Sequence, residues 1–219
     1  MEERKRALIA LLLVGLAPTV SIFISFGTDG GIISQIAYVL SKLWLVVIPL
    51  IWYLKIDKGQ LSLSKPKQGG YAVAVGLGSG MSALILLTWF MVGDKIDGSL
   101  LRDAVEPVGL LDVRLYIGGV IYWTVLNSLL EEYVFRWFLV VKSEVLVGTG
   151  TPAILLSAFI FVIHHTFALL FFGFPWWANL LASVSLFIGG AIFSWLYIRY
   201  RSVWMPYIAH AICDIAVFS

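Results

Sequence analysis

The chain has 219 residues, 60% of them hydrophobic and 13% charged, with a formal net charge of +2 and a mean hydropathy of +0.95. Soluble domains carry about 25% charged residues, so a water-soluble globule is excluded, and the near-neutral balance offers no footprint for nucleic acid. The single cysteine, Cys213, excludes an intrachain disulfide and a cysteine-rich metal cluster. The expected class is all-α, a polytopic transmembrane bundle forming one integral membrane domain over residues 1–219.

A spanning helix needs ~20 mostly apolar residues, which predicts seven spans at about 7–27, 31–54, 70–93, 114–141, 152–173, 178–198 and 202–218. The first follows Arg4-Lys5-Arg6 and runs on to Phe26 with no small-x-small cleavage site, so it is expected to be a retained signal anchor. Between spans two and three lie Lys55, Lys58, Lys65 and Lys67; after span four comes Lys142, and after span six Arg199 and Arg201. The opposite ends carry Asp29, the acidic segment with Asp94, Asp97, Asp103, Glu106 and Asp112, and the uncharged Phe174-Pro-Trp-Trp177 turn. By the positive-inside rule the N-terminus is cytoplasmic and the C-terminus outside. Residues 94–112 mix Leu100, Leu101, Val105 and Val108 with charges, the pattern of a short helix on the outer surface. Trp176 and Trp177 fit an aromatic belt at headgroup level.

Polar residues at membrane depth fall on three spans. The fourth carries Thr124, Asn127, Ser128, Glu131, Glu132 and Arg136, the fifth His164 and His165, and the seventh His210 and Asp214. An ionised residue at the centre of a spanning helix costs at least ~2.5–3.5 kcal/mol on insertion scales. At ~1.5 Å per residue, Glu131 lies roughly 16 Å from Lys142, His165 roughly 20 Å from Pro152, and His210 roughly 14 Å from Arg201. Antiparallel spans thus bring these groups to one layer.

Helical spacing assigns faces. Thr124, Asn127 and Glu131 form one stripe. Glu132 and Arg136 are an i, i+4 pair in the favourable order, which leaves Glu131, ~100° round the helix, as the available carboxylate. His210 and Asp214 project together from the seventh span. A carboxylate in a dry cavity holds its proton more tightly than in water and near neutral pH accepts one from water, as a general base must. A histidine orients that water, and donors from a third helix stabilise an oxyanion. The set suits hydrolysis of an amide by activated water.

In order along the chain, Glu-Glu-x-x-x-Arg (Glu131, Glu132, Arg136), Phe-x-x-x-His (Phe161, His165) and His-x-x-x-Asp (His210, Asp214) resemble the CPBP family, the CAAX prenyl endopeptidases and bacteriocin-processing or immunity enzymes. The lead-in Ser-Val-Trp-Met-Pro-Tyr-Ile-Ala-His210 is similar too. The resemblance spans about 114–218, the expected catalytic core. It implies a glutamate-dependent intramembrane endopeptidase: Glu131 activates water with His165, His210 and Asp214 form the oxyanion site, and Glu132 and Arg136 support the first helix of the motif; Asn127 and His164 are expected to support the site as well. A shift of one residue exchanges His165 for His164. Asp214 stands where several members have Asn, and an ionised Asp cannot donate a hydrogen bond, so it must be protonated or act through His210.

No cofactor is expected. The chain has no His-Glu-x-x-His, and His164 and His165 leave the helix ~100° apart; should a metal such as zinc bind, Glu131, His165 and His210 are its expected ligands. The expected partners are the lipid bilayer and a peptide or protein substrate with a membrane-associated C-terminus or a propeptide. The expected location is the plasma (cell inner) membrane. Three other readings compete: polar groups that only pair helices, a proton-coupled transporter, and a catalytically silent family member acting as a membrane chaperone or immunity factor.

Overall fold

The computed structural model of the protein describes residues 2–27, 32–60, 64–66, 68–106 and 109–219, and at 101, 104 and 105 the backbone alone. Asp29, Lys67 and Val108, and the side chains of Leu101 and Val105, lie outside the described residues. Among those described, six helices are long and apolar enough to cross a membrane. They are α1 (Glu2–Phe26), α2 (Ile32–Ile56), α3 (Tyr71–Lys95), α5 (Val113–Val147), α6 (Thr151–Phe171) and α7 (Trp176–Tyr200). Between α3 and α5 lies the short α4 (Gly98–Val105), and α8 (Trp204–Val217) closes the chain.

Large apolar side chains crowd the outer faces; Phe90 is 86%, Ile32 68% and Leu84 64% exposed to the surroundings of the bundle. In water such a surface would aggregate, and a bilayer covers it. The protein is therefore an integral, multi-pass membrane protein. The sequence expects a seventh span at 202–218. Its helix, α8, has 14 residues and rises about 21 Å, less than the ~30 Å hydrocarbon core.

The ends of the helices are set by local chemistry. Asp97 caps α4 by accepting from Ser99 N at 2.9 Å, a bond that holds the Asp97 carboxyl below the usual carboxylate range. Asp112 caps α5 through Arg114 N at 2.9 Å and Leu115 N at 3.2 Å. Pro18 lies just past the break in α1 at Leu16, where its missing N–H cannot continue the ladder.

One end of the bundle gathers the basic segments. Arg4 donates to Leu146 O at 2.7 Å, Lys142 pairs with Asp57, Arg201 grips Glu144 through two bonds of 2.6 and 2.7 Å, and Arg199 donates to Gln68 at 3.0 Å. The start of α1, the ends of α2, α5 and α7 and the approach to α3 therefore share one face. At the other end Ser34 donates to Ser25 O and Tyr116 to Phe218 O. This alternation agrees with the charge pattern along the sequence.

Two apolar clusters form the interior. One joins Leu11, Val14 and Leu45 with Val134, Phe135, Leu139 and Phe161; the other joins Ala74 with Phe193, Leu196, Met205 and Ala209. Small residues let α3 and α8 approach closely, as spanning helices do. A Cβ on Gly78 would sit 2.9 Å from Ala209 Cα. The polar layer lies where the two clusters meet.

Candidate active site

The 35 residues of α5 are not a uniform α-helix. Stretches of π-helix at Tyr122–Asn127 and Tyr133–Val140 flank one α-helical turn, Ser128–Glu132. The i→i+5 bonding of π turns shifts the phase of the side chains, and such turns often occur at functional sites. Asn127 Nδ2 donates to Glu131 Oε1 at 2.8 Å, as the expected stripe requires. Thr124, on the same stripe in an ideal helix, is instead buried with no hydrogen-bond partner for its hydroxyl among the described residues.

Glu132 and Arg136 are both fully buried, with Arg136 Nε 3.2 Å from Glu132 Oε2. The contact is ionic rather than a well-aligned hydrogen bond, since neither atom meets hydrogen-bond geometry. Three aromatic faces surround the guanidinium: Phe161 at 4.6 Å, Phe193 at 5.5 Å and Phe135 at 5.8 Å. The pair is not self-contained. Glu132 Oε1 also accepts from His210 Nδ1 at 2.8 Å, so the second carboxylate of the motif orients a histidine of α8. Spacing within one helix cannot reveal that bond.

With Nδ1 held on Glu132, His210 turns Nε2 toward Glu131 Oε2 at 3.9 Å and Asp214 Oδ1 at 3.6 Å. Asp214 Oδ2 lies 2.5 Å from Ser128 Oγ, which is also 2.7 Å from Trp123 O. A hydroxyl has one proton to give, and the carbonyl can only accept. A proton on Asp214 lets both contacts be hydrogen bonds, with Asp214 donating to Ser128 and Ser128 to the Trp123 carbonyl, and Asp214 then reaches the site through His210.

On α6, His165 Nδ1 donates to Phe161 O at 3.0 Å. The carbonyl accepts only, so Nδ1 carries the hydrogen and, in the neutral ring, Nε2 has the lone pair. His164 is buried and stacks on Phe135 with centroids 5.4 Å apart. Backbone spacing predicts that the two histidines diverge, yet their ring centroids are 4.0 Å apart. The ~100° between neighbours describes the Cα–Cβ bonds, and rotation about χ1 and χ2 brings both rings to Glu131.

Each of Glu131, His164 and His165 offers one ligand atom, and these lie within 4.8 Å of one another. Two imidazoles and a carboxylate are a donor set that zinc accepts. Bound there, the ion would polarise a water. His164 takes the place that His210 holds in the set expected from sequence.

One residue escaped the sequence reading. Lys42, about 15 Å along α2 from Ile32, is half-buried and donates from Nζ to Asn127 Oδ1 at 2.6 Å. Its signal was present: a lone lysine near the middle of an apolar span, at the same insertion cost as the acids.

Residues 114–216 match the family model described as type II CAAX prenyl endopeptidase Rce1-like. The segment from α5 to α8 is thus an Rce1-like domain, in keeping with the CPBP family, and its kind of function is that of a CAAX-type membrane protease. The match includes Glu131, Glu132, Arg136, His164, His165, His210 and Asp214, but not Lys42. No curated protein and no solved structure matches the chain.

Proposed function

We propose that this chain, bearing an Rce1-like domain, is an endopeptidase in which Glu131 activates a water inside the membrane to hydrolyse a peptide bond. The convergence of Glu131 with His165 and His210 at one depth, from three different helices, carries the proposal. Asn127 occupies one carboxylate oxygen, Oε1. The other, Oε2, faces His210 and is the base for a water held between Glu131 and His165 Nε2.

The steps balance without a covalent enzyme intermediate. Glu131 takes a proton from water as its oxygen attacks the scissile carbonyl. A His210 protonated on both nitrogens keeps Nδ1–H on Glu132 and donates Nε2–H to the oxyanion, while Asp214, hydrogen-bonded to Ser128 and with Oδ1 3.6 Å from that nitrogen, keeps the ring in place. Glu131 then returns its proton to the leaving nitrogen as the C–N bond breaks. The products are an amine and a new carboxylic acid, which passes its proton to the amine or to water, and Glu131 is again ionised. Positioned proton transfer of this kind contributes about 10²–10⁴-fold, and oxyanion donors about 10²–10³-fold each.

The basic end of the bundle faces the cytoplasm in this proposal, the protein resides in the plasma (cell inner) membrane, and cleavage occurs toward that side. The substrate is a peptide or protein whose cut site is held at the bilayer, as a lipidated C-terminal tail or a propeptide is. Purified protein in liposomes is incubated with a farnesylated C-terminal peptide and with a membrane-anchored propeptide, and products are read by mass spectrometry. One defined new carboxy-terminus in at least one substrate is expected. Intact substrates throughout, beside a competent control protease, contradict the proposal.

A further inference from the structure

We infer that Lys42 of α2, outside the matched domain, is a positioning residue for the general base, acting on Glu131 through Asn127. This rests on the function proposed above and adds a helix that the family match does not reach.

Hydrogen-bond chemistry determines the direction of the relay. An ammonium can only donate and a carboxylate can only accept. The amide between them must therefore turn Oδ1 to Lys42 and Nδ2 to Glu131, as the 2.6 Å and 2.8 Å contacts have it. Without Lys42 the orientation is set by Glu131 alone, and an amide that flips would set its oxygen against the carboxylate. With it, Oε1 is anchored and Oε2 is left toward His210, 3.9 Å away.

Charge gives a second reason. Glu132 is paired with Arg136 at 3.2 Å within α5, whereas among the described residues no lysine or arginine of that helix forms an ion pair with Glu131. Lys42 is the cation that α2 brings to its side of the site. Its register is held independently: one turn further along α2, Val46 O accepts from Tyr133 of α5 at 3.0 Å, and Trp44 donates to Leu13 O of α1 at 2.9 Å. The ammonium also lies over the Tyr38 ring, 5.4 Å from its centroid, and Tyr38 shares a hydrogen bond of 3.3 Å with Tyr122. Contacts to α1 and α5 thus hold Lys42 where the relay needs it.

The test uses full-length protein in liposomes and whichever peptide substrate it cleaves. Lys42→Met is expected to lower kcat about 10- to 100-fold, the scale of a slightly misplaced catalytic group, with KM within about twofold of wild type. Lys42→Arg, which keeps charge and donors, is expected to recover most of the loss. Lys42→Met combined with Asn127→Ala should be no slower than Asn127→Ala alone, because both remove one relay. Should Lys42→Met not fold, Lys42→Gln replaces it, with a kcat loss of at least about threefold expected. Wild-type kcat in the folded neutral variant, no recovery with Lys42→Arg, or losses that multiply in the double variant would each overturn the inference. If Glu131→Gln abolishes cleavage while Lys42→Met does not slow it, this inference alone fails; if Glu131→Gln cleaves normally, the proposed function fails first.

Discussion

Replacing Arg136 by Met leaves Glu132 fully buried with its main counter-ion gone. Removing one partner of a buried ion pair costs about 3–5 kcal/mol, because the remaining charge is left uncompensated. His210 still donates to Glu132 Oε1, which puts the expectation toward the lower end. Loss of the three ring contacts on the guanidinium acts in the opposite direction, at about 0.5–2 kcal/mol for a desolvated cation. On the scale of a chain this size, 3–5 kcal/mol is a fall in Tm of about 6–20 °C. Arg201→Met is the control: its bond to Glu144 has ideal two-point geometry but Arg201 is 53% exposed, so about 1 kcal/mol or less is expected. Unfolding followed by intrinsic fluorescence in one detergent compares the two. The double change Glu132→Leu with Arg136→Met removes both charges and should regain most of the lost stability, yet remain inactive because His210 Nδ1 has lost its acceptor. Equal stability of Arg136→Met and Arg201→Met, or an active double variant, would refute the reasoning.

Further outcomes follow from other contacts. Asp214→Asn should keep most of the cleavage rate, since an amide can donate to Ser128 as a protonated acid does, while Asp214→Leu should lose about 10- to 100-fold as His210 loses the group that positions it. Gly78→Leu should cost about 1–3 kcal/mol by overpacking, for even a Cβ there meets Ala209 Cα at 2.9 Å; a neutral effect on Tm would show that α3 and α8 are less closely joined. With Cys213→Ser as background, a cysteine at Ser99 should be labelled by an impermeant reagent from outside intact cells and one at Lys58 should not. The reverse pattern would invert the proposed topology.

Much of this arrangement is legible in the sequence because it depends on composition and on spacing within single helices. Apolar length reveals the spans, alternating basic and acidic connections reveal their antiparallel order, and i, i+4 spacing reveals Glu132 with Arg136. Depth counting from the helix ends brings Glu131, His165, His210 and Asp214 together, and the structure has them so. What spacing cannot supply is phase and side-chain torsion. The π turns on either side of Glu131 carry no residue signature, so spacing does not reveal that the Thr124 hydroxyl is buried without a hydrogen-bond partner among the described residues. His164 and His165 converge through their torsions despite diverging bonds. Lys42 is averaged away in any hydropathy window, and the Glu132 to His210 bond exists only once α5 and α8 meet. The shortness of α8, 14 residues against an expected 17, reflects a chain that turns at Ser202 and Val203 before the helix begins.

The carboxylate of Glu131 is the proposed base. Cleavage of one defined peptide by purified, folded Glu131→Gln protein measures that claim directly, since the amide keeps the size and the hydrogen-bond reach of the side chain but cannot take the proton. A fall in kcat of at least about 10²-fold, with Tm near that of wild type, is the predicted result. Cleavage by Glu131→Gln at the wild-type rate would contradict it.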